Sequence, residues 1–287
     1  MFYESVFRPD LFANQTIIVT GGGSGIGRCT AHELASLGAS VILIGRKQEK
    51  LERVQAEIEE DGGQAVWWTC DIRDEERVTQ VIKEVVEAHG TIHHLVNNAG
   101  GQYVSPLQAI NKKGWDAVVS TNLTGGFMMA REVFNQSMED SGGSIVNIIA
   151  DMWRGMPGMG HSGAARAGML NFTQTAAVEW ARAGVRVNAV APGWIASSGM
   201  DTYPDYVKAT LPALRDAIPL KRFGTEAETS AAIVFLLSPA AAFITGTCLS
   251  VDGAAPLFPA TFPVPDHDKS EAFDGFHRST KLDFMDE

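Results

Sequence analysis

Cysteine is scarce in this 287-residue sequence, and the three present, Cys29, Cys70 and Cys248, are scattered without the spacing of a metal site or a disulfide framework. An odd, unpaired set of this kind reads as free thiols in a reducing compartment. Positive charge is also in deficit: 23 Lys and Arg stand against 34 Asp and Glu, for a formal net charge of −11. Such a field repels nucleic acid and anionic membrane surfaces at long range, so neither is expected as a partner. An anionic cofactor has to be held by local features instead. Long apolar runs are missing too, since none approaches the roughly 18 residues that cross a bilayer. The stretch from Met1 to Asp10 has no basic-then-apolar signal pattern, and the Phe-Met-Asp-Glu ending is no peroxisomal address. From these absences a cytoplasmic protein is expected.

What is present is an ordinary globular composition, 45% hydrophobic and 20% charged, in a chain long enough to bury a large core. Short β-branched apolar runs at 16–20, 40–44, 65–70, 92–96, 144–149, 185–190 and 247–251 alternate with helical stretches. The latter lie at about 25–37, 47–60, 74–89, 112–138, 163–182 and 226–237. Nearly continuous apolar strands suit a parallel sheet covered on both faces. Their alternation with helices predicts an α/β fold, a three-layer αβα sandwich around a seven-stranded parallel sheet. No linker interrupts the pattern, so residues 1–287 are expected to form one domain with its core at about 12–255. Residues 197–220 have little strand pattern and carry Gly199, Pro204 and Pro212; a lid over a substrate is expected there. Residues 256–287 are expected to form an arm packed on the surface or on another subunit.

The residues from Thr20 to Gly27 read Thr-Gly-Gly-Gly-Ser-Gly-Ile-Gly, directly after the first strand and opening a helix. Gly21, Gly23, Gly25 and Gly27 permit a tight turn and close approach to a pyrophosphate. Around Ser24 and Ile26 the helix N-terminus offers unpaired N–H groups to its oxygens. The strand–turn–helix setting makes this a Rossmann-like dinucleotide turn. The second strand ends with Arg46 and Lys47. An acidic residue there favours NAD(H) through the ribose, whereas two cations suit a 2′-phosphate, so NADP(H) is expected and NAD(H) is the alternative. Cations at a helix start are unfavourable unless an anion joins them. Asp71 and Ile72 follow the third strand, with Asp71 a candidate acceptor for an adenine amino group and Asp74 an N-cap. Asn98, Ala99 and Gly100 follow the fourth and are small enough to let a ribose lie on the backbone. Asn122 is polar inside an otherwise apolar helix and precedes Gly125 and Gly126, a locally unfavourable choice that points to function. His93 and His94 are adjacent on a strand and face opposite ways, and no metal site is expected.

In order and spacing, the 20–27 turn, the Asn-Asn-Ala-Gly at 97–100, Asn122, Pro192-Gly193 and the 245–253 stretch resemble the short-chain dehydrogenases/reductases over about residues 12–255. The resemblance implies that Pro192, Gly193 and Ile195 line a nicotinamide and that Ser197 reaches its carboxamide or the phosphates. It also implies a homodimer or homotetramer joined through the helices at 112–138 and 163–182, the second exposing Ala176, Ala177 and Trp180. The family's usual catalysts are a Tyr, a Lys four residues on, and a Ser near the end of the fifth strand. Here Ser162 and Arg166 stand at the first two positions and Ile149 or Ala150 at the third. A serine hydroxyl holds its proton at neutral pH, so this constellation is ill suited to ordinary alcohol–ketone interconversion.

Residues 161–168, 97–106, 143–149 and 264–268 resemble the trans-2-enoyl-CoA and 2,4-dienoyl-CoA reductases of peroxisomes and their bacterial relatives. That resemblance implies reduction of a C=C bond conjugated to a thioester, with hydride delivered to the β-carbon and charge developing on the thioester oxygen. Such chemistry needs hydrogen-bond donors aimed at that oxygen. Asn122, Ser162 and Arg166 are the candidates, Arg166 also being a permanent cation suited to the nicotinamide ribose. Asp151 is a candidate proton relay to the α-carbon if burial raises its pKa; His161 and Tyr103 are further candidates. The expected substrate is therefore a small molecule, an acyl thioester. The phosphates of CoA need cations, which only loop residues such as Arg154, Lys208, Arg215, Lys221 and Arg222 offer. A terpenoid or fatty alcohol or aldehyde, as in relatives described as citronellol dehydrogenases, is the alternative substrate. A second alternative is a non-catalytic NADP(H)-binding protein.

Overall fold

The structure, a computed structural model, describes residues 2–197, 199–200, 203–257, 262 and 264–279. Its strands are β1 (Thr16–Thr20), β2 (Ser40–Gly45), β3 (Gln64–Thr69), β4 (His94–Asn97), β5 (Gly143–Ile148), β6 (Val185–Pro192), β7 (Ile195–Ala196), β8 (Gly224–Thr225) and β9 (Cys248–Val251). Seven of them form one parallel sheet in the order β3-β2-β1-β4-β5-β6-β9, and β7 pairs with β8. The main helices are α1 (Gly25–Ser36), α2 (Gln48–Glu60) and α3 (Glu75–His89), then α4 (Lys112–Val119), α5 (Gly125–Val133) and α6 (Glu139–Ser141). Further along come α7 (Gly160–Glu179), α8 (Asp205–Lys208), α9 (Leu211–Ala217) and α10 (Glu226–Leu237).

Side chains that alternate along each strand build the two halves of the core. Ile17, Val19, Val41 and Leu43 face α1, α2 and α10, where Leu34, Leu51, Val54, Ile58 and Ile233 meet them. Ile18, Ile42 and Ile44 point the other way, toward α3 and α5 with Val78, Val81, Ile82, Met129 and Val133. Each of these fully buried side chains contributes about 1.5–3 kcal/mol by leaving water. The three layers of the sandwich follow from that alternation. Strand order reverses between β1 and β4, which opens a crevice at their carboxyl ends, the place where this class of sheet binds ligands.

Three expectations need correction. The helix expected at 112–138 is a chain of α4, α5 and α6 joined by π turns at Ser120–Thr124 and Phe134–Met138. The helix expected from 163 begins at Gly160, so Ser162 lies in its first turn. Ala176 and Ala177 are not exposed for helix pairing; they are buried against Val185 and Val187, and Trp180 stacks on Phe134 with ring centroids 4.5 Å apart. The sheet beneath α7 claims its small-residue face.

The segment expected as a lid carries α8 and α9 and a core of its own, Met200, Leu211, Ile218 and Phe223, with Trp194 and Tyr203 packed on it. The β7–β8 pair ties both ends of this segment together. Ser198, Asp201 and Thr202 of that segment lie outside the described residues. In the arm, Phe276 is buried against Tyr3, Cys29 and Ala227. Arg278 pairs with Asp61 at 2.7 Å and Glu60 at 2.8 Å, at the C-terminal end of α2. Among the described residues, no helix is long and apolar enough to cross a membrane.

Candidate active site

The turn after β1 explains its own glycines. Gly21 and Gly25 adopt φ of 67° and 59°, a region that side chains other than glycine rarely occupy. A Cβ on Gly27 would sit 2.5 Å from the Gly21 carbonyl oxygen and 2.3 Å from Asn98 Nδ2, so α1 can pack against the turn only as glycine. Thr20 Oγ1 accepts from the backbone N–H of Asn98 at 3.0 Å and of Ala99 at 2.9 Å, and Asn98 Nδ2 donates to the Thr20 carbonyl at 2.9 Å. These bonds lock the ends of β1 and β4 together beneath the crevice.

A cavity of about 320 Å³ runs from this turn across the ends of β2 and β3, lined by Gly21, Gly23, Ser24, Arg46, Lys47, Asp71, Ile72, Asn98, Ala99 and Gly100, and by Lys50 and Arg73. Lys47 is the N-cap of α2 and offers no side-chain cap, so Arg46, Lys47 and Lys50 gather cations at the positive end of a helix dipole. An anion there relieves an otherwise unfavourable arrangement. Asp71 is bonded to Arg73 by both carboxylate oxygens, and those bonds hold its carboxyl below the ordinary range. Asp74 caps α3 by accepting from the Arg77 N–H at 3.1 Å. The glycine turn, the cationic rim and the bare backbone at Gly100 together fit a dinucleotide phosphate.

A second cavity of about 410 Å³ continues from Ile26, Asn98 and Gly100 over Ile149, Ala150 and Arg166 to Pro192, Gly193, Ile195 and Ser197. Gly193 is obligatory here, because a Cβ would stand 2.8 Å from Asp252 Cα. Arg166 Nη1 donates to the Ile148 carbonyl at 2.6 Å, while its buried Nε has no partner. Its Nη2 lies 2.7 Å from where a Gly100 Cβ would be. Burial pushes this guanidinium down to about 10, which leaves it charged at neutral pH. Asn122 is buried in the π turn between α4 and α5 and clamps Gly101 on both sides. Its Oδ1 accepts from the Gly101 N–H at 3.1 Å, and its Nδ2 donates to the Gly101 carbonyl at 2.6 Å and the Val118 carbonyl at 2.8 Å. A π turn frees a main-chain carbonyl for such a bond and often marks a functional site. Asn122 therefore has both donors engaged in holding the loop rather than pointing at a substrate.

Ser162 is fully buried and also spends its proton inside the protein, donating to Gln102 Oε1 at 2.7 Å. Gln102 went unremarked in the sequence because a polar residue in a loop carries no local signal. It lines both the second cavity and a third, of about 240 Å³, that holds Asp151, Met156, Pro157, Met159, Trp194 and Tyr203. Burial and the Asp252 carboxylate push the Asp151 carboxyl above its ordinary range. His161, in the first turn of α7, is buried with an unpartnered Nε2, and the half-exposed Tyr103 ring meets it edge-on at 4.5 Å; neither residue lines these cavities. Of the loop cations, Arg222 pairs with Glu228 at 2.6 Å, Lys221 with Asp266 at 3.4 Å and Arg215 with Asp216 at 3.0 Å. Among the described residues, no group of three or more His, Cys, Asp or Glu could hold a metal.

Residues 21–254 match the family described as enoyl-(acyl carrier protein) reductase. The chain is 37% identical over 254 residues to a probable 2,4-dienoyl-CoA reductase of Bacillus subtilis, covering 86% of this chain and 99% of that protein. It is also 37% identical to a 3-oxoacyl-[acyl-carrier-protein] reductase of Synechocystis, over 85% of this chain and 98% of that one. Among solved structures, a citronellol catabolism dehydrogenase of Pseudomonas aeruginosa is 64% identical with a TM-score of 0.80, covering 88% of this chain and 99% of that one. An actinorhodin polyketide ketoreductase solved with NADPH is 29% identical, with a TM-score of 0.82 over 88% of this chain and 100% of that one. The chain belongs to the short-chain dehydrogenase/reductase family and is an oxidoreductase of that kind.

Proposed function

We propose that this protein is an NADP(H)-dependent reductase of a C=C bond conjugated to a carbonyl, with a trans-2-enoyl thioester as substrate. The observation that carries the reading is the state of the family's catalytic positions. The Tyr position is a buried Ser162 whose proton is spent on Gln102, and the Lys position is Arg166, whose guanidinium stays charged at neutral pH. Neither group can shuttle a proton to or from an alcohol at neutral pH. Polarising a carbonyl oxygen asks less, since it needs only fixed donors and positive potential.

In this reading the glycine turn with Ser24 and Ile26 holds the pyrophosphate, and Arg46 and Lys47, joined by Lys50, hold a 2′-phosphate. Asp71 and Ile72 flank the adenine, Asn98–Gly100 and Arg166 hold the nicotinamide ribose, and Pro192, Gly193, Ile195 and Ser197 close over the ring. A nicotinamide held by these residues would supply a hydride for the β-carbon. Arg166 lends positive potential to the carbonyl on which charge develops. Asp151, whose carboxyl burial and Asp252 push above its ordinary range, is the proposed source of the proton for the α-carbon, which completes the addition of two hydrogens across the double bond. Asn122 keeps the Gly100–Gly101 backbone in position. An oligomer of the same chain in the cytoplasm is part of the proposal.

A second reading, dehydrogenation of a terpenoid or fatty alcohol or aldehyde, is favoured by the 64% identity to the citronellol catabolism dehydrogenase and by Met156, Pro157, Met159 and Trp194 on the walls of the third cavity. Oxidation of NADPH should be followed with crotonyl-CoA and a longer trans-2-enoyl-CoA, with NADH and with citronellal in parallel, and reduction of NADP+ and NAD+ should be followed with citronellol. Turnover of the enoyl thioesters with NADPH preferred is expected. Turnover of citronellal or citronellol alone would replace this reading with the second, and NADPH binding without turnover of either would make the protein a non-catalytic binder.

A further inference from the structure

We propose that the side-chain amide of Gln102 is the neutral hydrogen-bond donor to the substrate carbonyl oxygen, and that Ser162 is the positioning residue that aims it. This rests on the carbonyl-polarising reading given above. The donor that the family places directly at position 162 is here carried one side chain further into the cleft.

The direction of the Ser162–Gln102 bond decides which atom faces the substrate. Ser162 is fully buried, so its hydroxyl proton must find an acceptor inside the protein or remain unsatisfied at a cost in stability. Gln102 Oε1, 2.7 Å away, is that acceptor. The reverse arrangement, with the amide donating to Ser162 Oγ, would strand the hydroxyl proton. With Oε1 committed, the Nε2 group has no partner among the described residues, and both of its N–H bonds remain for a ligand. The side chain stands where the cavity over Arg166, Pro192 and Gly193 joins the cavity over Asp151 and Met156. A carbonyl placed where the two cavities join would meet that amide.

The other donors nearby are held by main-chain carbonyls, buried, or turned elsewhere, Arg166 Nε being buried without a partner. Asn122 Nδ2 is held by the Gly101 and Val118 carbonyls. Arg166 Nη1 is held by the Ile148 carbonyl, and Nη2 lies beside Gly100 on the cofactor side. The Tyr103 hydroxyl lies against Gly114, and its ring against His161. Tyr203 and Trp194 also line both cavities, but they belong to the separately packed lid rather than to the sheet and α7. Gln102 is itself exposed on the loop after β4, and of these donors it is the one tied to α7, through its bond from Ser162.

The test compares Gln102→Ala, Gln102→Glu, Ser162→Ala, the Gln102→Ala/Ser162→Ala double variant and Tyr203→Phe. It uses NADPH with the enoyl thioester or citronellal, whichever the wild type reduces. Loss of one donor to a developing oxyanion costs about 10²–10³-fold in rate. Gln102→Ala should lose that much in kcat with NADPH affinity by fluorescence titration unchanged; its Tm should fall by a few degrees because the buried Ser162 proton loses its acceptor, and the double variant should recover that loss. Ser162→Ala should lose roughly tenfold, and the double variant should be no worse than Gln102→Ala, because two residues that act as a unit are not additive. Gln102→Glu should be as poor as Ala at pH 8 and recover toward pH 5, where the protonated acid can again donate; a residue that merely shaped the loop would show no such recovery. The proposal is overturned if Gln102→Ala and Gln102→Glu both stay within threefold of wild type. It is equally overturned if the Gln102→Glu pH profile parallels wild type, or if Tyr203→Phe alone carries the loss. Citronellal turnover alone would overturn the enoyl-thioester reading while leaving Gln102 to be judged on the aldehyde carbonyl. A wild type that turns over neither substrate overturns both.

Discussion

Replacing Arg166 with methionine should separate stability from activity. Burial pushes the guanidinium from 12.5 down to about 10, which at about 1.4 kcal/mol per pH unit is a penalty of about 3 kcal/mol on the charged form. One compensating bond is visible, from Nη1 to the Ile148 carbonyl, and a hydrogen bond from a charged donor is worth about 1.5–3 kcal/mol. Nε is buried with no partner at all. Methionine keeps most of the aliphatic length, removes the uncompensated charge and leaves the Ile148 carbonyl facing a wet cleft. A net gain of about 1 kcal/mol is expected without cofactor, read as a rise of about 2–4 °C in Tm for a domain of this size. The sign follows from the depressed value: the penalty is complete below about pH 10 and shrinks as pH rises through it, so the advantage of the methionine variant should narrow in alkaline buffer. NADPH-dependent turnover should meanwhile fall by at least 10²-fold. The measurement is calorimetry of the cofactor-free proteins at pH 7 and above pH 10, beside steady-state rates. A drop of several degrees for Arg166→Met at pH 7 would refute the reasoning, since it would show the guanidinium holding the fold together rather than straining it.

The glycine turn and the cationic rim give two further expectations. Gly27→Ala forces a Cβ to within 2.5 Å of a main-chain oxygen, so it should cost about 1–3 kcal/mol in urea unfolding and weaken NADPH binding at least tenfold by fluorescence titration. The Arg46→Ala/Lys47→Ala double variant should lose the preference for NADPH over NADH by about 10–100-fold in kcat/KM, with the NADH value little changed. Burial pushes the Glu226 carboxyl up to about 7 from an ordinary 4.5, so the folded state binds more protons than the unfolded one between those values. Stability should therefore fall as pH rises from about 4.5 to 7, and Glu226→Gln should gain about 3 kcal/mol at pH 8 and almost nothing at pH 4.5. Chemical denaturation at the two pH values checks this, and equal gains at both would count against it.

The sequence by itself determined the architecture, because its signals are local. The strand and helix pattern depends on whether apolar side chains recur with a period of two or of 3.6, and on which short runs are apolar throughout. Seven strands, the main helices and the turn from Thr20 to Gly27 all lie within a few residues of where that pattern puts them. The absence of a Tyr at 162 and a Lys at 166 was equally plain, since the family spacing is fixed within one helix.

The tertiary structure decided what those positions do, because each answer depends on a partner distant in the chain. Arg166 meets the Ile148 carbonyl, Asn122 closes on Gly101, and Ser162 finds Gln102 sixty residues earlier. No periodicity announces such pairs, and a polar loop residue such as Gln102 looks like any solvated side chain until a buried hydroxyl is found to point at it. Ala176 and Ala177 read as a helix-pairing surface, yet the sheet needs close backbone approach on that side and takes them into the core. Local propensity fixes which elements form; the demand that every buried polar atom find a partner, met only once those elements pack, fixes which side chains are left to face a substrate.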